Sequence, residues 1–425
     1  MSLKTWVVSR IAEHVTSERT LNRARAAVEA ERRAAGAPHV VTYFHQADDP
    51  YSQVTAQLLA AFAARYDVTL QVHLCSSPPD WAAPDRDRLI AYARRDAACL
   101  AHKAGISFAD PGAQPDPARV AAAEGLLAGA IQAGHFIEQA AHIGRALWSG
   151  AALPDGPAGD APALKANGDA TRAKLGHYLG AMVHYGGEWY WGVDRLHYLE
   201  ARLAGLGAGA PQPPLYAQPI TPRDDAAGGP PTPLEFFLSF RSPYTHIVAE
   251  RTKALADAYG APIAMRFVLP MVMRGLPVPP AKSRYITMDT AREARRLGIA
   301  FGRVADPVGR PVERGYALLP WAMAQGRGYD FFLSFMRGVW AEGVDAGSDA
   351  GLRRIVERAG LSWAQAKPLI GNDDWRPEAE ANRQALLALG LWGVPCFRYG
   401  DVSVWGQDRL WVIEDAMRAD RGLPL

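Results

Sequence analysis

Cysteine is scarce: there are three among 425 residues (Cys75, Cys99, Cys396), and none sits in a C-x-x-C pair. That scarcity excludes a disulfide framework, a zinc knuckle and a two-cysteine redox centre, and it points to a reducing, cytoplasmic setting. An excess of charge of one sign is missing too. Lys plus Arg number 46 against 44 Asp plus Glu, a formal charge of +2, with no long basic block, so the electrostatic footprint of a nucleic-acid binder is absent. No run of about 18 uncharged apolar residues occurs, so no membrane span is expected, and the first residues lack the apolar core of a signal peptide. No G-x-x-x-x-G-K-[ST], G-x-S-x-G or H-E-x-x-H motif is found. His135, His142, His177 and His184 form no metal-ligand pattern, so no metal is expected.

What the chain does have is length, an ordinary balance of 49% apolar and 21% charged residues, and an internal repeat. The length predicts two domains or more, each with material for a core. Asp49-Pro50-Tyr51-Ser52 has a counterpart in Ser242-Pro243-Tyr244-Thr245, each just after an apolar run. Tyr185-Gly186 and Trp191-Gly192-Val193-Asp194-Arg195-Leu196 are echoed by Tyr399-Gly400 and Trp405-Gly406-Gln407-Asp408-Arg409-Leu410. Pro50 to Trp191 spans 141 positions and Pro243 to Trp405 spans 162, so the second copy carries 21 more residues in its middle. The pattern reads as one ancestral domain, duplicated and diverged.

Four segments follow: a helical extension over residues 1–36, a first domain over 37–204, a Pro/Gly-rich linker over 205–232 and a second domain over 233–425. The linker contains Gly-Gly-Pro-Pro-Thr-Pro, a composition that sustains neither helix nor strand interiors. In the second domain the residues predict a strand over 234–240, a helix from Pro243 to about Tyr259 and a strand over 262–269. A mostly helical stretch over about 287–389, a hairpin over 395–405 and a closing helix over 408–419 complete it. This is an α/β plan, a thioredoxin fold with an inserted all-helical subdomain, expected in both halves.

The order of Phe240-Arg241-Ser242-Pro243-Tyr244, Gly393-Val394-Pro395 and Trp405 to Leu410 resembles the 2-hydroxychromene-2-carboxylate isomerases and kappa-class glutathione transferases. These form a branch of the DsbA-like thioredoxin superfamily, and the resemblance covers most of residues 233–420. It implies a glutathione-dependent isomerase or transferase acting on a small electrophilic, aromatic or unsaturated acid. By the same resemblance Ser242 is the catalytic residue, holding the thiol sulfur of glutathione. Val394 and a cis Pro395 offer backbone to the tripeptide, Asp408 meets its amino group with Gln407 alongside, and Lys282 meets a carboxylate. A side chain just ahead of a Pro-initiated helix lies at the positive end of the helix dipole, where a thiolate is stabilised. The same residue types also suit plain structure: Ser242 as an N-cap, Pro395 as a trans strand opener, Asp408 as a cap, Lys282 as a solvated cation.

Arg241 suits either an anionic substrate or solvent, and Tyr244, Trp392 and Trp405 suit either an aromatic cleft or the core. Departures from the family pattern are Met273, where an Asn is usual, and the first copy, with Asp49 at the serine position and Ala181 at the cis-proline position. A carboxylate there would repel a thiolate, so the N-terminal copy is expected to be degenerate. Family enzymes of this kind dimerise, so the fused copy could replace a partner subunit, or the chain could form a homodimer. The alternatives are a thiol oxidoreductase-like protein, for which Cys396 is the one thiol near the site, and a non-catalytic ligand-binding protein.

Overall fold

The computed structural model describes residues 3–230 and 232–425. The chain divides into two compact units, Arg23–Gln218 and residues 3–22 together with Pro219–Leu425.

The first unit contains strands β1 (Val40–His45), β2 (Thr69–Leu74), β3 (Met182–Tyr185) and β4 (Glu188–Trp191) in the order β2-β1-β3-β4. β1 runs parallel to β2 and antiparallel to β3, and β3 and β4 form a hairpin. The second unit repeats this with β5 (Leu234–Leu238), β6 (Ile263–Phe267), β7 (Cys396–Tyr399) and β8 (Val402–Trp405) in the order β6-β5-β7-β8, with the same directions. A parallel pair needs a crossover, and a helix supplies it in each unit.

In chain order the helices are α1 (Leu3–Thr16), α2 (Glu18–Ala34), α3 (Pro50–Arg65), α4 (Arg86–Lys103), α5 (Pro117–Gln132), α6 (Phe136–Ser149), α7 (Ala161–Lys174) and α8 (Gly192–Gly205). They continue with α9 (Pro243–Tyr259), α10 (Pro280–Arg296), α11 (Arg310–Ala324), α12 (Gly328–Ala341), α13 (Asp349–Arg358), α14 (Trp363–Ala366), α15 (Arg376–Ala388) and α16 (Leu410–Asp420). α3 and α9 are the crossovers, and both begin with Pro at the first helical position.

β5 is a nearly unbroken apolar run, as a strand covered on both faces requires. Its continuation, Phe240, is fully buried and stacks on Phe335 of α12 with ring centroids 3.9 Å apart and on Tyr316 of α11 at 5.0 Å. Burying one such ring contributes roughly 2 to 3 kcal/mol. The Trp340 indole donates to the Phe240 carbonyl at 3.0 Å, so the helical insertion grips the backbone two residues before Ser242.

Two expectations gain detail and one is revised. The extension over 1–36 is two helices, because Ser17 interrupts it: its hydroxyl accepts from Thr20 N at 3.2 Å and so caps α2. α1 belongs to the second unit, where Arg295 donates to the Thr16 carbonyl at 2.9 Å. Gly302 and Gly343 admit it there; a Cβ on either would meet Thr16 Oγ1 or Ser9 Oγ at 2.4 Å. The linker has no helix or strand among described residues 206–233, yet its two parts are held: Leu215 N donates to Glu200, and Arg418 grips Asp225 with both terminal nitrogens at 2.7 and 2.8 Å. Met1, Ser2 and Pro231, which the extension and linker include, lie outside the described residues. Finally, α10 starts at Pro280 instead of near 287, since a proline is accommodated at the first helical position, where its missing N–H would have no partner in the helix.

Candidate functional site

Helix α9 is the element on which the site is built. Its N-cap, Ser242, has extended backbone, and its hydroxyl oxygen accepts from Thr245 N at 3.1 Å. The same hydroxyl donates to the Val394 carbonyl at 3.3 Å, joining residues 152 positions apart. Capping and a reach toward the loop therefore coexist on one oxygen. Ser242 and Val394 are both part-exposed, whereas Trp392, Gly393 and Pro395 around them are buried.

The Val394–Pro395 peptide is cis. The Pro395 carbonyl accepts from Gly406 N at 2.9 Å, which ties the loop to the turn before Asp408. Gly393 has to be glycine, because a Cβ there would lie 2.2 Å from the Trp405 ring. Trp392 and Trp405 meet edge to face, centroids 4.9 Å apart, so Trp405 is packed against this loop. Cys396 is fully buried, its thiol donates to the Gly393 carbonyl at 3.0 Å, and burial pushes its pKa well up. A thiol so placed is inert as a nucleophile.

Asp408 lies in a single 3-10 turn, Gln407–Arg409, ahead of α16, and it is part-exposed. Gln407 points inward and is almost completely buried. Its amide nitrogen donates to Glu293 at 3.0 Å and to Asp408, and its oxygen accepts from Arg251 of α9 at 2.9 Å. Glu293, also buried, is paired with Arg296 at 2.8 Å. Gln407 thus holds Asp408 in place. Burial lowers the Arg251 pKa, and the neighbouring carboxylates Asp408 and Glu293 oppose that shift.

The remaining expected residues are distributed by their own pairings. Arg241 forms a two-pronged ion pair with Asp306, both bonds 2.9 Å, so its guanidinium is engaged within the protein. Tyr244 donates to the buried Asp289 of α10 at 2.8 Å. Lys282 sits in the first turn of α10, half-buried, and burial lowers its pKa. Met273 lies in the 3-10 turn after β6 and packs on the core. α9 therefore reaches the cis-proline loop through Ser242, α10 through Tyr244 and the Gln407 network through Arg251.

Sequence reading missed Arg251 and Glu293, which look like ordinary surface charges at helical spacing. It also missed the Tyr244–Asp289 pair, for which a signal existed. In the first unit Tyr51 donates to Asp96 at 2.7 Å, and both Tyr–Asp pairs are separated by 45 residues. Pro50, Tyr51, Tyr92, Asp96, Gly105, Ile106 and Phe108 recur as Pro243, Tyr244, Tyr285, Asp289, Gly298, Ile299 and Phe301, all at a constant offset of 193.

In the corresponding place of the first unit the facing loop is buried, while Asp49, like Ser242, is part-exposed. Asp49 caps α3, accepting from Ser52 N at 3.0 Å, Ser52 Oγ at 2.8 Å and Tyr51 N at 3.3 Å. Burial, with Asp48 adding to it, raises its pKa to about 6. Ala181 holds the Pro395 place, since its carbonyl accepts from Gly192 N at 2.8 Å. Its own N–H is spent on Ser52 Oγ at 3.0 Å, and Gly180 and Ala181 are buried.

Comparison with known proteins concerns the second half. Residues 233–418 match the model of the DSBA-like thioredoxin domain. The chain is 23% identical over 192 residues to the 2-hydroxychromene-2-carboxylate isomerase of Pseudomonas putida, covering 43% of this chain and 93% of the relative. It is 24% identical over 192 residues to the enzyme of that name from Pseudomonas sp. (strain C18), covering 43% and 89%. A solved structure of 2-hydroxychromene-2-carboxylate isomerase aligns with a TM-score of 0.38 and 22% identity, covering 45% of this chain and 99% of the other. The C-terminal half of this chain, with the cis Val394–Pro395 loop facing the start of α9, is a DsbA-like thioredoxin domain.

Proposed function

We propose that the C-terminal half binds glutathione and uses it to isomerise, or to conjugate, a small electrophilic acid with an aromatic or unsaturated body. The observation that carries this reading is the part-exposed Ser242 hydroxyl at the start of α9, aimed at the Val394 carbonyl. A hydroxyl at the positive end of a 17-residue helix can donate to a sulfur anion and lower its pKa, but cannot itself carry disulfide chemistry. The named relatives, similar over nearly their whole length, support the isomerase side.

In this reading the Ser242 hydroxyl turns from Val394 to the incoming sulfur. The freed Val394 carbonyl and the neighbouring backbone pair with the extended tripeptide. Asp408, held by Gln407, receives the γ-glutamyl ammonium, and Lys282 meets a carboxylate. The thiolate adds to the conjugated double bond, forming a carbon–sulfur bond while the π electrons move onto the conjugated carbonyl as an enolate. Rotation about the new single bond and expulsion of the thiolate give the isomer; protonation of the enolate carbon leaves the conjugate. Holding thiolate and acceptor together supplies much of the rate.

We further propose that the kappa-class transferases are kin to this domain and that the N-terminal half is a degenerate second copy, fused in tandem. It would take the place of a partner subunit in a cytoplasmic protein. The constant offset of 193 and the shared strand order support the duplication. A redox role is disfavoured by the buried Cys396.

Calorimetric titration with reduced glutathione tests the reading. One saturable site per chain is expected, weakened about tenfold or more in Ser242→Ala and in Asp408→Ala, as loss of a charge-assisted contact predicts. Absence of saturable heat from the intact protein overturns it.

A further inference from the structure

A cavity of about 350 Å³ opens in the C-terminal half between the segment after β6 and helix α15. Leu269 and Leu276 form an apolar wall, and Arg274, Arg376, Arg383 and Glu380 bring charge. Two of the three arginines are committed. Arg376 donates to Asp373 at 2.7 Å and to Glu313 at 3.2 Å, and Arg383 holds Glu380 with two bonds of 2.7 and 2.6 Å.

Arg274 is different. It is half-buried, forms no ion pair among the described residues, and its Nε is buried without a partner. One terminal nitrogen, Nη2, donates to the Trp392 carbonyl at 3.3 Å. Desolvating a half-buried guanidinium is costly: burial together with the like charge of Arg383 lowers its pKa, and the Glu380 carboxylate, itself held by Arg383, opposes that shift only in part. An anion entering the cavity relieves both. A planar carboxylate matches the guanidinium fork, while Leu269 and Leu276 suit an unsaturated or aromatic body behind it. The Arg274 bond to Trp392 also fixes the cavity against the loop that presents Val394 to Ser242.

We propose that this cavity is a carboxylate site centred on Arg274, serving the reaction assigned to Ser242. The inference rests in part on the glutathione reading, which supplies two sources for the carboxylate: the electrophilic acid or the glycine end of glutathione. It adds Arg274 as a specificity-determining residue, in the segment that carries Met273.

The test is calorimetry on the full chain with trans-cinnamate, neutral cinnamamide, glutathione and glutathione glycine monoethyl ester. The proteins are the unaltered chain, Arg274→Gln, Arg274→Lys and Leu276→Glu, each checked for intact folding by circular dichroism. If the site takes the electrophile, cinnamate affinity falls about tenfold or more in Arg274→Gln and Leu276→Glu, recovers in part in Arg274→Lys, and glutathione is unaffected. If it takes the glycine end, glutathione affinity falls by that factor and the ester binds all four proteins equally. The proposal is overturned if neither acid binds the unaltered chain, if Arg274→Gln binds both acids as well as the unaltered chain does, or if cinnamamide loses as much as cinnamate. A Ser242→Ala arm separates the two ideas. Glutathione binding indifferent to Ser242, beside cinnamate binding dependent on Arg274, removes the glutathione reading and leaves the carboxylate site standing.

Discussion

The two halves place different residues at the start of the same crossover helix, and the surroundings differ in keeping with them. In the first, Asp49 turns inward to its own helix, and the Gly180-Ala181 loop closes down through Ser52. In the second, Ser242 keeps its cap bond and also reaches across to a loop whose Val394 is part-exposed. The Tyr–Asp contact between consecutive helices is kept in both, Tyr51 with Asp96 and Tyr244 with Asp289. A scaffold contact thus persists where the helix start and the loop facing it have diverged. Function on this fold depends on what lies at the mouth of the helix, since the fold alone does not specify a chemistry.

The widest test of that contrast transplants the residues. Ser242→Asp is expected to reduce glutathione affinity about 100-fold, because a carboxylate in place of the hydroxyl repels the thiolate and removes its donor. Asp49→Ser is expected to create no second site, since the facing Gly180 and Ala181 remain buried; two binding sites per chain in the titration would break the comparison.

Next in size is Asp49→Asn. The carboxyl, raised to about 6, binds its proton more tightly folded than unfolded. Its favourable contribution is complete only below the ordinary Asp value near 4 and is lost as pH rises through 6. An amide needs no proton, so the variant should gain up to about 2 to 3 kcal/mol at about pH 7.5 and nothing at about pH 3.5. Urea unfolding at both pH values reads this, and equal gains at both would refute the burial argument.

Smaller effects belong to the shared contact. Tyr51→Phe and Tyr244→Phe should each cost about 1 to 2 kcal/mol, the penalty for depriving a buried carboxylate of a donor. Thermal melts that show a loss in one half alone would separate the scaffolds that the offset of 193 unites. Smallest is Cys396→Ala, for which turnover should change less than about twofold, the thiol being buried and protonated; a large loss would revive thiol chemistry at this site.

Much of the fold was legible in local signals. Ser-Pro after an apolar run announced the start of α9, and its observed span, Pro243–Tyr259, is the one expected. The hairpin around Gly400-Asp401 and the Gly-Val-Pro loop were legible in the same way, because turn chemistry is carried by adjacent residues. The start of α10 was misplaced by seven residues because a proline that opens a helix and one that breaks it look alike without knowing where the chain turns. The division of the helical extension at Ser17 was not legible, because Ser17 signals a cap only if the preceding helix stops there.

By itself the sequence determined the repeat, the boundaries of most elements and the presence of a hydroxyl ahead of a Pro-initiated helix. Only the tertiary structure decided which polar groups are committed within the protein and to which partners. Ser242 with Val394, Arg251 with Gln407 and Arg241 with Asp306 are pairs separated by 152, 156 and 65 residues. The sequence offers each arginine many carboxylates of similar worth, and the choice among them is made by distance and burial, which exist only once the sheet and its helices have packed. That choice engages Arg241 with Asp306, turns Gln407 inward and leaves the Arg274 Nε without a partner.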